Sequence, residues 1–335
     1  MDTEPITDSI KAAISAGYKR ILFDNVNEAV YFDHIRKIHR IVRQINDYSV
    51  SYVYLTSAQN GQETYEAYCL EQNIEPVIKI SCISVFENVM KENLSVFYRD
   101  TKHPKIEYLI QKKSKLFCCL NKQLREHRAR IFYKILDDNF LEKTYSSFEY
   151  GLDVIQRLSG LSEYKRMWKL FTRYQDIFPL RLNVPDDRYN PIDVRLEDLT
   201  YHSDSYFSLV TETLFFQDHN DFFPFIDAGD SVFLTEKTFR PIALKHPFIL
   251  ASRPFSLQYL KKLGYKTFSP LIDESYDSEL DDHLRLEMIW KEVLRLCDFT
   301  DDQWIEWQTN IKDILDHNYR VLMEKTQYRL DQTGV

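Results

Sequence analysis

Apolar residues recur along the first hundred positions in two alternating rhythms. Arg20-Ile21-Leu22-Phe23-Asp24 is a short apolar run closed by a carboxylate, as a buried strand reads. From Phe32 to Ile45 the period changes: Phe32, Ile35, Ile38, Ile41, Val42 and Ile45 share one face of a helix. Val50 to Leu55 reads as a second strand, and Asn60-Gly61 as the turn before a second helix over Gln62 to Gln72. Pro76 to Ile83 reads as a third strand. The βαβαβ order predicts a parallel sheet of Rossmann type.

The rhythm restarts at Lys115. Leu116-Phe117-Cys118-Cys119-Leu120-Asn121 is nearly continuous in apolar residues, the pattern of a strand covered on both faces. A polar turn leads to a helix over His127 to Asp138. Residues 150–200 are less regular and hold two helices and a loop around Pro179, Pro185 and Pro191. A strand over Tyr206 to Val210 ends in Thr211-Glu212-Thr213, and an acidic, aromatic loop follows from Gln217 to Asp230. The apolar run Val232-Phe233-Leu234 reads as a strand that enters Thr235-Glu236-Lys237 and a helix, stopped at His246-Pro247. Next come a strand over Phe248 to Ala251 and a helix over Phe255 to Leu263, capped by Gly264. Long helical patterns fill 279–297 and 301–325. The polar stretch Asp100 to Lys105, with His103-Pro104, marks a boundary. The chain is therefore read as a first domain over 1–110, a second over 111–300, and a closing helical segment over 301–335 that returns to the first domain.

Polar residues stand at the carboxyl ends of these strands: Asp24, Asn121, Glu212 and Thr235-Glu236-Lys237. Open α/β sheets bind ligands at such ends. A strand that delivers Thr, Glu and Lys to a helix start makes an anion site. The helix offers unpaired N–H groups and partial positive charge, Lys237 adds a full charge, and Glu236 can accept from sugar or ribose hydroxyls. A cation at a helix start is mildly unfavourable unless an anion answers it, an argument that applies to Lys237 and to Arg128. Bland alternatives stand beside these roles. Glu212 and Glu236 also suit capping or buried ion pairs, and Asn121 suits the turn after its strand. Lys122, Arg125, Arg130, Arg240 and Lys245 read as solvated charges, and His127 and His246 as packing or turn residues.

Composition narrows the classes. With 335 residues, 44% hydrophobic and 28% charged, the chain has the make-up and length of two soluble domains. Seven glycines and the lack of G-x-G-x-x-G or G-x-x-x-x-G-K-[ST] argue against a glycine-rich phosphate loop. A net charge of −8 disfavours broad nucleic-acid binding, though not a local basic groove. Five cysteines form no C-x-x-C pair, and Cys82, Cys118 and Cys119, within apolar runs, read as buried free thiols, which points to a reducing, cytoplasmic compartment. Asp2 and Glu4 interrupt any signal-peptide core, and no apolar run reaches membrane-spanning length. No Asp-x-Asp triplet and no zinc-ligand spacing occurs, and the His219 cluster with Asp218 and Asp221 reads as a solvated loop, so no metal and no cofactor is expected.

Asn121 at a strand end, Arg128 entering a helix, Tyr206 to Glu212, and Phe233-Leu234-Thr235-Glu236-Lys237 together resemble the donor domain of the α-1,3-fucosyltransferase family. Residues 115–275 are also similar to glycosyltransferase-like proteins of phages and large viruses, through Thr235 to Phe239, Pro247 to Ile249 and Asp273 to Asp277. The resemblance implies a GT-B fold: two Rossmann-like domains facing a cleft, with C-terminal helices closing the chain. It implies an inverting, metal-independent transfer from a nucleotide-diphosphate sugar, a GDP-sugar by family likeness, to a hydroxyl acceptor. Arg128 and Lys237 would hold the diphosphate, with Asn121, Thr235 and Glu236 around the donor. Glu212 would face the donor sugar or brace the site. The base would come from the first domain, with Asp24 the foremost choice and Glu28 and Glu87 its rivals. Where the family carries Asn after the glutamate, this chain has Thr213. Two further readings remain: glycosylation of modified DNA bases, and nucleotide-sugar binding without turnover.

Overall fold

The computed structural model describes residues 4–25, 32–101, 106–122, 124–149, 164–182, 196–216 and 231–324. They are mixed α/β, with two wholly parallel sheets in separate compact units. The first unit runs to residue 88 and includes 231–234; the second comprises 89–216 and 235–324. This division differs from the expected boundary at 110, and the first unit is discontinuous in sequence.

In the first unit, α1 (Glu4–Ser15), β1 (Arg20–Asn25), α2 (Phe32–Ile45), β2 (Ser51–Thr56), α3 (Gly61–Glu71) and β3 (Lys79–Cys82) build a sheet of order β1-β2-β3. Period two sorts β2: Tyr52 and Tyr54 join the core with Ile35, Ile38, Ile41 and Val42 of α2, while Val53 and Leu55 pack with Ile83 on the other face. β1 is an edge strand with alternating exposure, and Asp24 is exposed at its carboxyl end. The run Val232-Phe233-Leu234 forms no ladder strand. Phe233 makes one antiparallel bridge to Ala58, and the Val232 N–H donates to Asn60 Oδ1 at 2.7 Å. The expected strand is thus a tether held by side-chain and backbone bonds of the first unit.

α4 (Val85–Thr101) carries the chain across the division. The second unit then adds β4 (Lys115–Asn121), α5 (Glu126–Asp137), β5 (Thr144–Phe148), α6 (Tyr164–Arg173), α7 (Leu196–Ser203), β6 (Ser205–Thr211), α8 (Glu236–Ala243), β7 (Phe248–Ala251) and α9 (Ser256–Lys262). It closes with α10 (Asp282–Cys297) and α11 (Asp301–Glu324). The strand order is β5-β4-β6-β7. The chain leaves β4 toward β5 and then crosses to β6 on the other side of β4, so the winding direction reverses between β4 and β6. Phe132, Phe148 and Phe171 tie α5, β5 and α6 together, the first two stacked with centroids 4.7 Å apart. Gly264, with φ of +95°, follows α9 in the left-handed conformation expected of the cap.

Residues 301–324, expected to return to the first domain, form α11 within the second unit. There Trp304 stacks on Tyr206 at 3.9 Å between centroids, and Asp316 pairs with Lys245 at 2.7 Å.

Candidate functional site

β6 ends at Thr211, and the next residue, Glu212, is fully buried (0% exposed). Burying a carboxylate demands donors, and the Thr-Glu-Lys turn supplies them. Thr235 donates its backbone N–H to Glu212 Oε1 at 2.8 Å and its hydroxyl to Oε2 at 2.7 Å. The Thr238 hydroxyl donates to Oε1 at 2.6 Å. Glu212 thereby fixes the start of α8, one turn of which carries the acceptor-rich and cationic groups of the site. Thr235 is the N-cap, its side chain accepting from the Lys237 N–H.

Lys237 turns back from the first turn of α8. Its ammonium donates to Thr235 Oγ1 at 2.9 Å and to Glu236 Oε1 at 2.8 Å. Burial drives the Glu236 carboxyl upward, but the Lys237 charge and hydrogen bond, with Arg240 behind, outweigh it and hold the group below its ordinary value. Lys237 is 28% exposed, so it still reaches solvent.

Arg128 comes from the first turn of α5 and is buried. Its Nη2 donates to the carbonyls of Thr211 and Glu212, both at 3.1 Å. Burial, with Arg125 nearby, pushes its pKa down to about 10, so it keeps its charge at neutral pH. Next to it, His127 Nε2 donates to the Glu212 carbonyl at 2.9 Å. The His127 ring stacks on Phe215, and the Arg285 guanidinium lies over the same Phe215 ring at 4.5 Å. The loop after β6 is therefore clamped from α5 and α10 together.

A cavity of about 200 Å³ lies at the reversal point between β4 and β6. Arg128 and Lys237 both line it, joined by Lys122, Arg240 and, as the acidic member, Glu236. Arg240, expected in solvent, is buried and faces this space. It stands three residues after Lys237 on α8, and i,i+3 residues share a helix face, which is the signal in the sequence that could have placed it. Lys122 follows β4 directly and carries no comparable signal. Arg130, also expected at the surface, is buried in an ion pair with Glu126 at 2.8 Å.

The remaining expected residues divide. Asn121 is buried beneath the site, where its Oδ1 accepts from the Thr211 hydroxyl and ties the ends of β4 and β6. Thr235 is a cap and a brace. Asp24 lies in the first unit at the end of β1, Glu87 is buried there in the first turn of α4, and Glu28 is outside the described residues. His219 and the loop Gln217 to Asp230 are likewise outside them. The inner end of the cavity reaches Cys118, Ser208 and His202, and Cys118, His202 and His246 form a group able to ligate a metal.

Comparison of the chain with family models, with curated proteins and with solved structures found no match.

Proposed function

We propose that the chain is a glycosyltransferase of GT-B type that binds a nucleotide-diphosphate sugar in its second unit and transfers the sugar to a hydroxyl acceptor with inversion. The observation that carries this reading is the cavity at the β4–β6 reversal point, bordered by Arg128, Lys237, Lys122 and Arg240. Reversal points of parallel sheets are where nucleotides bind, and the positive side chains around this space favour an anionic group. A volume of about 200 Å³ is below the roughly 300 Å³ at which pockets for whole drug-sized ligands begin. It suits a diphosphate with part of its cargo, the rest extending from the mouth.

In the proposed reaction the acceptor oxygen attacks the anomeric carbon opposite the diphosphate. The carbon–oxygen bond to phosphate breaks, and its electron pair stays on the leaving diphosphate. Charge grows there in the transition state, where fixed cations in a dry site are most effective. Lys237 supplies a point charge with rotatable donors, and Arg128 a buried positive charge whose orientation is set by the two carbonyls it holds. Glu236, already paired with Lys237, is the acceptor for a ribose or sugar hydroxyl. Glu212 positions the turn and is not assigned contact with the reacting atoms. Asp24 is kept as the proposed base, to receive the acceptor proton.

Isothermal titration with GDP, UDP and ADP, and with their sugars, tests the reading. Binding of one nucleoside diphosphate in the micromolar range, lost on Lys237→Ala, is expected; no binding of any of them overturns it. Asp24→Asn is expected to keep that binding and lose transfer. A second reading, binding without turnover, draws on Glu212, which the family resemblance sets facing the donor sugar but whose two oxygens are occupied by Thr235 and Thr238. Sugar-nucleotide hydrolysis or transfer above the rate without protein decides against it.

A further inference from the structure

We propose that Cys118, His202 and His246 bind a borderline-soft divalent cation of the zinc class at the inner end of the cavity. The three residues come from different elements: β4, the last turn of α7, and the connection from α8 to β7. All three are buried, and their ligand atoms lie within 4.8 Å of one another. Ligands on a common tetrahedral zinc stand about 3.5 Å apart, so side-chain shifts of about an ångström close the set.

The local bonding is what a ligand set requires. His246 Nε2 donates to the Ser205 carbonyl at 3.0 Å, which fixes the tautomer and leaves the lone pair on Nδ1. That Nδ1 faces the Ser208 hydroxyl at 2.8 Å, and Ser208 Oγ lies 3.2 Å from Cys118 Sγ. Cys118 and Ser208 are paired across β4 and β6, so their side chains leave the sheet on the same face. A cation between sulfur and imidazole replaces this hydroxyl relay; the thiol releases its proton to solvent as the metal–sulfur bond forms. The His202 ring meets His246 edge-on at 5.1 Å and supplies the third ligand.

His246 is carried into place by local geometry. Its N–H donates to the Pro241 carbonyl at 2.8 Å, after Lys245 turns the chain with φ of +50°. Cys118 and His202 also line the cavity, which gives the ion an entry path and leaves one coordination position open toward it. Thiolate with two imidazoles favours zinc over magnesium or calcium, which take oxygen ligands. The site does not depend on which anion the cavity holds.

The test uses the full chain, stripped with a chelator and then titrated with Zn2+ or Co2+ alone. One equivalent of either ion is expected, with the Co2+ form showing the thiolate-to-cobalt absorption of a tetrahedral centre. Zn2+ is expected to raise the melting temperature of the wild type by mass action. Cys118→Ser, close in size, is expected to abolish the absorption, and His202→Ala to weaken binding about tenfold or more. Absence of the thiolate absorption in wild-type protein overturns the proposal without reference to any variant. Uptake that persists unchanged in Cys118→Ser overturns it as well, because it locates the ion on surface histidines or another thiol.

Discussion

Thr235 gives both of its donors to Glu212: the backbone N–H to one carboxylate oxygen at 2.8 Å and the hydroxyl to the other at 2.7 Å. The cap of α8 and the end of β6 are thus one unit. Glu212→Gln replaces an acceptor oxygen with an amide nitrogen that opposes one of these donors. Hydrogen bonds to a charged group contribute about 1.5–3 kcal/mol each, so a stability loss of about 2 kcal/mol or more is expected in urea unfolding, with an unchanged m-value. Nucleoside-diphosphate affinity measured on the folded fraction is expected to fall with it. A variant as stable as wild type but without turnover would move Glu212 from bracing to chemistry.

Lys237 has the opposite profile. It is partly exposed, so solvent screens its pair with the buried Glu236, and Arg240 still acts on that carboxylate when Lys237 is removed. Its proposed bond to a diphosphate is charge-assisted, worth about 1.5–3 kcal/mol. Lys237→Ala is therefore expected to leave the unfolding midpoint nearly unchanged and to weaken nucleoside-diphosphate binding roughly 10- to 100-fold. The wild-type affinity is expected to fall with added salt more steeply than that of the variant. An equal Kd for both proteins removes Lys237 from the site.

The parts of the fold legible in the sequence are those whose burial leaves a periodic trace. β4 is apolar from Leu116 to Leu120, the pattern of a strand covered on both faces, and its bounds are read from the sequence to within one residue. The α2 stripe works for the same reason. β5 is Thr144-Tyr145-Ser146-Ser147-Phe148, an edge strand held by pairing with β4 rather than by apolar content, and its pattern does not announce a strand. Val232 to Leu234 shows the converse: an apolar run satisfied by Asn60 and one bridge to Ala58, outside any ladder. Within the site, Thr235, Glu236 and Lys237 are adjacent in sequence and their geometry follows from one helix start. Arg285 reaches Phe215 from α10, and Cys118, His202 and His246 meet only through the sheet order, so no local spacing reports them.

Arg128 is both a cavity residue and a structural one. It lines the cavity and also holds the carbonyls of Thr211 and Glu212. Arg128→Lys keeps the charge but loses the planar fork. The expected result is a lower melting temperature together with weaker nucleotide binding. Arg128→Ala leaves Glu236 and Glu212 without a buried cation that acts on both, and a loss of about 3–5 kcal/mol is expected. Binding unchanged in a stable Arg128→Lys protein would restrict the residue to its structural bonds.

His127 gives the acid limit of this arrangement. Its pKa is held well below the ordinary 6.5, first by burial and then by Arg128, Arg125 and Arg285, while its bond to the Glu212 carbonyl pulls the other way. The folded state therefore binds this proton less readily than the unfolded chain. The sign follows: stability is complete above about pH 6.5 and is lost as pH falls toward the folded value, by about 1.4 kcal/mol for each pH unit from this group. His39 and His246 are shifted the same way and add to the slope. His127→Gln can keep a donor near the Glu212 carbonyl but has no proton to gain. Urea unfolding at intervals from pH 7.5 to 5 is expected to show wild-type stability falling more steeply than that of the variant. The two curves converge at low pH if His127 contributes as described, and parallel curves would assign the acid loss to other groups.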